Sequence, residues 1–151
     1  MASASVAGAV IERYGALTFT PKPTLYFGEA PYRDGSGNPV VPPYVVLIDE
    51  GTTPEYDFEY HPVETTRLRF EVYALGLALA DAIASGIRYD GGLVMAGAGM
   101  DFAASLPLTG MTLKAMVRER EVRSVENARD GSSTDVYRVS MAYRVEVLRT
   151  A

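Results

Sequence analysis

Cysteine and tryptophan are absent from the 151 residues, and histidine occurs once, at His61. Without cysteine there can be no disulfide, no thiolate zinc site and no thiol nucleophile. With one histidine, any imidazole acid–base step or His-ligated metal must pass through His61. Long hydrophobic runs are missing too. The longest weakly polar stretch, Ala74 to Ile87, has 14 residues and contains Asp81, whereas a membrane span needs about 20 apolar residues. Met1 to Leu17 lacks a basic n-region, and Glu12 and Arg13 interrupt its apolar stretch, so neither a secretory signal nor a membrane partner is expected. Basic charge is also short: 14 Lys plus Arg face 19 Asp plus Glu, a net charge of -5. That balance argues against holding nucleic acid by phosphate neutralisation.

What is present suits an ordinary globular chain, with 48% hydrophobic and 22% charged residues. A domain of this length buries enough surface to fold without a staple, and one domain over 1–151 is expected. Ser3 or Ser5 followed by Val6, Val10 and Tyr14, with Gly15 as a stop, predicts a short N-terminal helix. Thr24 to Gly28 reads as a brief strand. Tyr32 to Pro43, rich in Gly, Pro, Asp and Asn, reads as an exposed loop about twice the usual connection length.

Tyr44 to Ile48 is a continuous apolar run, which predicts a strand covered on both faces. Glu55 to His61 and Thr65 to Tyr73 both alternate strictly, with a hairpin loop expected at His61 to Thr65. If their apolar faces coincide, one allowed register sets Glu59 opposite Arg67 and Asp57 opposite Arg69. Leu75, Leu79, Ile83 and Ile87 recur every four residues among five alanines, with Gly86 near the end, and predict a helix packed on a sheet. Asp90 to Asp101 is glycine-rich and is read as a loop. Met111 to Arg123 and Val136 to Arg149 predict a long hairpin around the turn segment Asn127 to Thr134. Strands of that length extend more than ~40 Å, so part of the hairpin is expected to project beyond the core. The fold class is α+β: a mainly antiparallel sheet with a long C-terminal hairpin, packed against an Ala-rich helix and a short N-terminal helix.

Catalytic signatures do not occur. Neither Lys22 nor Lys114 follows a glycine, Gly35-Ser36-Gly37 and Gly97-Ala98-Gly99 lack the third glycine of a dinucleotide fingerprint, and there is no GxSxG elbow. Glu59, His61 and Glu64 could be drawn as a metal cluster, but a histidine beside Pro62 at a hairpin loop reads better as surface. No metal, cofactor or catalytic residue is assigned. Glu55, Asp57 and Glu59 have a spacing that a paired-carboxylate hydrolase could use, yet a ladder with arginines across from it reads as a solvated sheet face. Six acids and no Lys or Arg lie from Asp49 to Glu64. In a ring, such a patch would repel a passing polyanion. Arg118, Arg120 and Arg123 alternate with Glu119, Glu121 and Glu126, which suits a solvated or subunit-contacting hairpin. Residues 1–64 hold three basic and nine acidic groups, residues 65–151 eleven and ten. Complementary contacts between neighbouring subunits are a natural use of that asymmetry.

Pro43-Tyr44-Val45-Val46-Leu47, the Thr52-Thr53-Pro54 turn, and Leu68-Arg69-Phe70-Glu71-Val72-Tyr73-Ala74 leading into the Ala-rich helix resemble the tail terminator, or tail completion, proteins of long-tailed bacteriophages. The likeness covers about 45 residues, and the order helix, strands, helix, long hairpin also fits. The Gly-rich Asp90 to Asp101 linker and the loop at 31–43 depart from the family pattern. The resemblance implies a homohexameric ring that caps the tail tube, stops its polymerisation and receives the head-tail connector protein, with DNA passing through without specific binding. Its partners would be its own copies, the tail tube protein and the connector. Its place would be the virion tail or neck, and the host cytoplasm during assembly. Candidate lumen or subunit contacts are Asp49, Glu50, Glu55, Asp57, Glu59, Arg67, Arg69, Arg118 and Arg120. Candidate docking-loop residues are Tyr32, Arg33, Asp34, Asn38, Asn127, Arg129 and Asp130. The alternatives are a head-completion adaptor or stopper ring of the neck and, from another class, a small α+β enzyme or ligand-binding module using the acidic face.

Overall fold

A computed structural model describes residues 4–56, 62–90, 99–103, 106–127 and 134–149. Helix α1 spans Val6–Ala16, and its N-cap is Ser5, whose hydroxyl accepts from the Gly8 amide at 3.0 Å. Gly15 does not end it. The helix closes at Leu17, where the Lys22 ammonium donates to the Tyr14, Gly15 and Leu17 carbonyls at 3.4, 2.9 and 2.7 Å. A cation there satisfies carbonyls that have no intrahelical partner.

Strand β1, Leu25–Phe27, runs parallel to β2, Tyr44–Tyr56. The two strands expected at Tyr44–Ile48 and from Glu55 onward are therefore one through Tyr56. The reason is a bulge between Asp49 and Gly51, where Gly51 has φ +113° and its amide donates to Asp49 Oδ1 at 2.8 Å. An extra residue is absorbed and the strand continues. Strand β3, Pro62–Ala74, pairs antiparallel with β2 so that Val45 meets Val72 and Leu47 meets Phe70. This overturns the expected register, because Arg67 lies opposite Gly51 and Arg69 opposite Ile48. Pairing the apolar run of β2 with the apolar run of β3 decided the matter. Asp57, Glu59 and His61 lie outside the described residues.

Helix α2, Leu77–Tyr89, buries Ala80, Ile83, Ala84, Gly86 and Ile87. Leu75 precedes the helix and is exposed, so the buried stripe is built from alanines and isoleucines rather than from a leucine every fourth position. The helix ends at Asp90, in the left-handed region at φ 52°. The Asp90 carboxylate accepts from the Thr18 and Phe19 amides at 2.6 and 2.9 Å and so ties the chain after α1 to the end of α2. Of the segment read as a loop at 90–101, the described part after Asp90 forms a 3-10 turn at Met100–Phe102.

Strands β4, Met111–Asn127, and β5, Asp135–Arg149, form the expected hairpin and complete a sheet of order β1-β2-β3-β5-β4. Over most of its described length the hairpin lies within the sheet. Strand β5 lies inside the sheet, paired with β3 from Tyr137 to Leu148, and among its described residues only Asp135, Val136 and Arg149 extend past that pairing. Strands β2 and β3 are long as well, with 13 residues each. The two helices pack against one sheet face through Val10, Tyr14, Ile83, Ile87, Leu47, Phe70, Met141 and Val145. At one corner of the opposite face, Tyr44 and Val46 pack with Ala30, Tyr26, Val40 and Tyr73. The start of β2 is thus covered on both sides, as its apolar run predicts, and the α+β architecture is the expected one.

Candidate functional site

The sheet face away from the helices is largely open, and charge is laid over it in a lattice. Arg69 pairs with Glu71 at 3.1 Å and reaches Glu50 at 3.7 Å. Arg67 and Arg144 share Glu119 at 3.5 and 3.2 Å, and Arg144 also holds Glu146 at 3.3 Å. Arg138 joins Glu71 to Glu126 at 3.8 and 4.0 Å. Glu71 is buried and accepts from the Tyr73 hydroxyl at 2.7 Å. Burial first, and then this carboxylate, push the Tyr73 phenol up. Arg67 is paired with Glu119, and Arg69 with Glu50 and Glu71. Exposed pairs of this kind contribute little to stability, so their main effect is to leave the face nearly neutral.

Arg120 belongs to this face without belonging to the lattice. Among the described residues it makes no ion pair, and it lines a hollow of about 170 Å³ with Glu50, Arg69, Val122, Ser140 and Ala142. Arg118, two positions earlier, points the other way because a bulge separates them. It bonds Asp101 at 3.1 Å on the helix side and contacts Glu121 at 3.5 Å. Glu121 also pairs with Arg88 of α2 and with Arg123, and Arg123 reaches Asp81 at 2.8 Å. The fully buried Tyr143 donates its hydroxyl to Asp101. Arg118 therefore links β4 to the 3-10 turn, while Glu121 and Arg123 link it to α2. Sequence reasoning missed this network, since Tyr143 reads as one more apolar residue of β5 and Asp101 as loop.

The remaining candidates are dispersed. Asp49 occupies the β2 bulge and lines a second hollow, of about 320 Å³, with Ser5, Thr52, Glu64, Thr66 and Arg149. Glu55 lies in β2 opposite Val63. The 31–43 loop is closed on itself: Asp34 accepts from the Ser36 and Asn38 amides at 2.9 and 3.0 Å, and Arg33 donates to the Gly37 carbonyl at 2.9 Å. Tyr32 stands exposed beside it, and Asn38 is exposed too. Asn127 ends β4 opposite Asp135, while Arg129 and Asp130 lie outside the described residues. Glu64, drawn with Glu59 and His61 as a metal cluster, is held by Arg149 at 2.6 Å. No group of three metal-ligating side chains occurs among the described residues.

Among the described residues both sheet edges are open. Strand β1 covers the outer side of β2 only at Val45–Leu47, leaving Ile48 to Tyr56 unpaired there, and β4 is paired on its β5 side alone. Val117 and Val122 are each 40% exposed on β4, Val125 is 55% exposed, and Phe27 on β1 is 55% exposed.

Fold and surface define a small α+β chain with a helix-covered sheet face, a charged open face and two free strand edges. A solved structure titled "Virion of native gene transfer agent (GTA) particle" contains a chain of this fold. The two are 21% identical and align over 97% of this chain and 99% of that one, with a TM-score of 0.60. The likeness is one of fold. No protein-family model and no curated protein matches the chain.

Proposed function

We propose that this protein is a structural component of a phage-type virion, a ring subunit that ends tail-tube polymerisation and joins the tail to the head connector. The observation that carries this reading is the fold shared, over nearly the whole of both chains, with a component of a virion particle. The order helix, strands, helix, long hairpin, which also fits the terminator family, supports it. In this reading the partners are further copies of the chain in a homohexamer, the tail tube protein and the head-tail connector. DNA passes through the centre without specific binding, as a net charge of -5 favours. The protein acts by fitting surfaces together, not by catalysis.

Sizing by light scattering, with negative-stain imaging, tests the proposal on the protein alone and mixed with tube protein. A ring that halts tube growth supports the terminator role. A ring that binds the connector but leaves tube growth unchanged would move it to the neck adaptors. A monomer that stays monomeric with tube protein present would overturn the ring.

A further inference from the structure

We infer that copies of this chain associate head to tail by pairing the free edge of β4 in one copy with the free edge of β2 in the next, with Arg120 set against Glu50. The inference rests on the ring reading and names the surface that builds the ring. Strand directions supply the first support. Within the sheet β2, β3, β5 and β4 are successively antiparallel, so β4 runs opposite to β2. A rotation that keeps strand direction brings the two edges together as an antiparallel pair, the slightly more stable geometry. A head-to-tail contact whose rotation closes gives a ring.

Register supplies the second. Ile48 lies opposite Arg69, Arg69 opposite Ala142 and Ala142 opposite Arg120, so Ile48 and Arg120 sit at one level on the open face. By the same route Gly51 is level with Val117 and Thr53 with Ala115. A level contact therefore puts the bulge bearing Asp49 and Glu50 beside the bulge bearing Arg120. The charges are complementary. Of the β4 cations, Arg118 and Arg123 are held by Asp101, Asp81 and Glu121, whereas Arg120 and Lys114 have no ion pair among the described residues. Glu50 keeps one long contact, at 3.7 Å, with Arg69. Val117, exposed on β4, would face the bare backbone of Gly51.

The third support is that β4 must leave the β2 edge where β1 begins to occupy it, at Leu47. The Arg118/Arg120 bulge falls at that level, and bulges bend strands. Past the bend, the exposed Val122 and Val125 would run beside the exposed Phe27. The bulges, together with Pro54 on the β2 edge, restrict which strand can pair there.

The protein has no cysteine, so an E50C/R120C variant tests the contact under oxidation. Within one chain the two positions are three strand spacings apart, about 14 Å, too far for a disulfide. A ladder of linked oligomers on non-reducing gels is expected, and the two single-cysteine variants mixed should give a linked dimer. Independently, E50R should reduce ring formation at least tenfold, and mixing E50R with R120E should restore it, which attraction within one copy across the hollow that both residues line would not do. Rings without linkage and without charge-swap rescue would overturn this contact and leave the ring reading standing. Linkage of R120C to itself would assign β4 to a two-fold contact and overturn it as well. Absence of any ring, with tube protein present, would remove both.

Discussion

Tyr143 is the residue on which most depends. Its ring packs edge-on against Phe70 at a centroid distance of 5.7 Å, and its hydroxyl donates to Asp101, which also receives Arg118. One side chain thus belongs to the apolar core and to the ionic network that holds β4 to the helix layer. Burial, then the Asp101 carboxylate, raise its phenol above the ordinary 10.0, and burial raises Tyr14 and Tyr73 as well. A group whose folded pKa is raised contributes stability fully below the unfolded value and loses it as pH rises through the folded one. Unfolding free energy should therefore hold to about pH 10 and fall beyond it. Tyr143→Phe should cost about 1 kcal/mol at neutral pH by deleting one hydrogen bond, and its alkaline decline should be shallower. Urea melts between neutral and alkaline pH measure both quantities; parallel declines in the two proteins would mean that Tyr143 does not carry the effect.

At the scale of elements, helix α2 comes close to the chain segment after α1 because Gly86 has no side chain. A Cβ there would fall well inside van der Waals contact with the Phe19 ring, which is itself buried. Gly86→Ala gains about 1 kcal/mol of helix propensity but forces that ring aside, at about 1–3 kcal/mol for an overpacked core. A lowered melting temperature is expected, with recovery when Phe19→Leu is added. A raised melting temperature would mean that the ring moves freely. The contact also marks what sequence could reveal. Gly86 near a helix end reads as a terminator, and nothing local discloses Phe19 above it. The Ser5 cap, the alternation of β5 and the two-sided burial of Tyr44–Ile48 were legible because each is a local pattern. The β2–β3 register was not, because alternation is satisfied by every shift of two residues, and the choice depended on the bulge at Gly51. The ionic network was hidden for a similar reason: Tyr143 and Asp101 are 42 positions apart, as are Arg123 and Asp81. Of the candidate site, the alternating charges of β4 were visible, but only the bulge determines that Arg118 turns inward and Arg120 outward.

For the whole molecule, the uneven charge of the sequence becomes a gradient across the sheet. Strand β2 carries Asp49, Glu50 and Glu55 and no Lys or Arg, while β4 carries Lys114, Arg118, Arg120 and Arg123 beside Glu119, Glu121 and Glu126. Strand order sets β2 and β4 on opposite flanks, so one flank of each copy carries acids without a cation and the other carries Arg120 and Lys114, which have no ion pair among the described residues. Two driving forces then compete in any head-to-tail association. Attraction between flanks is screened by salt, with a Debye length near 3 Å at about 1 M against 10 Å at about 0.1 M. Burial of Phe27, Val117, Val122 and Val125 is apolar and is not weakened in that way. The charge gradient predicts that the protein concentration at half-assembly rises by about tenfold over that salt range, equivalent to about 1.4 kcal/mol. Sedimentation velocity across a sodium chloride series measures it. Assembly that tightens with salt would assign the association to the apolar strand edges and leave the acidic flank free to face the lumen.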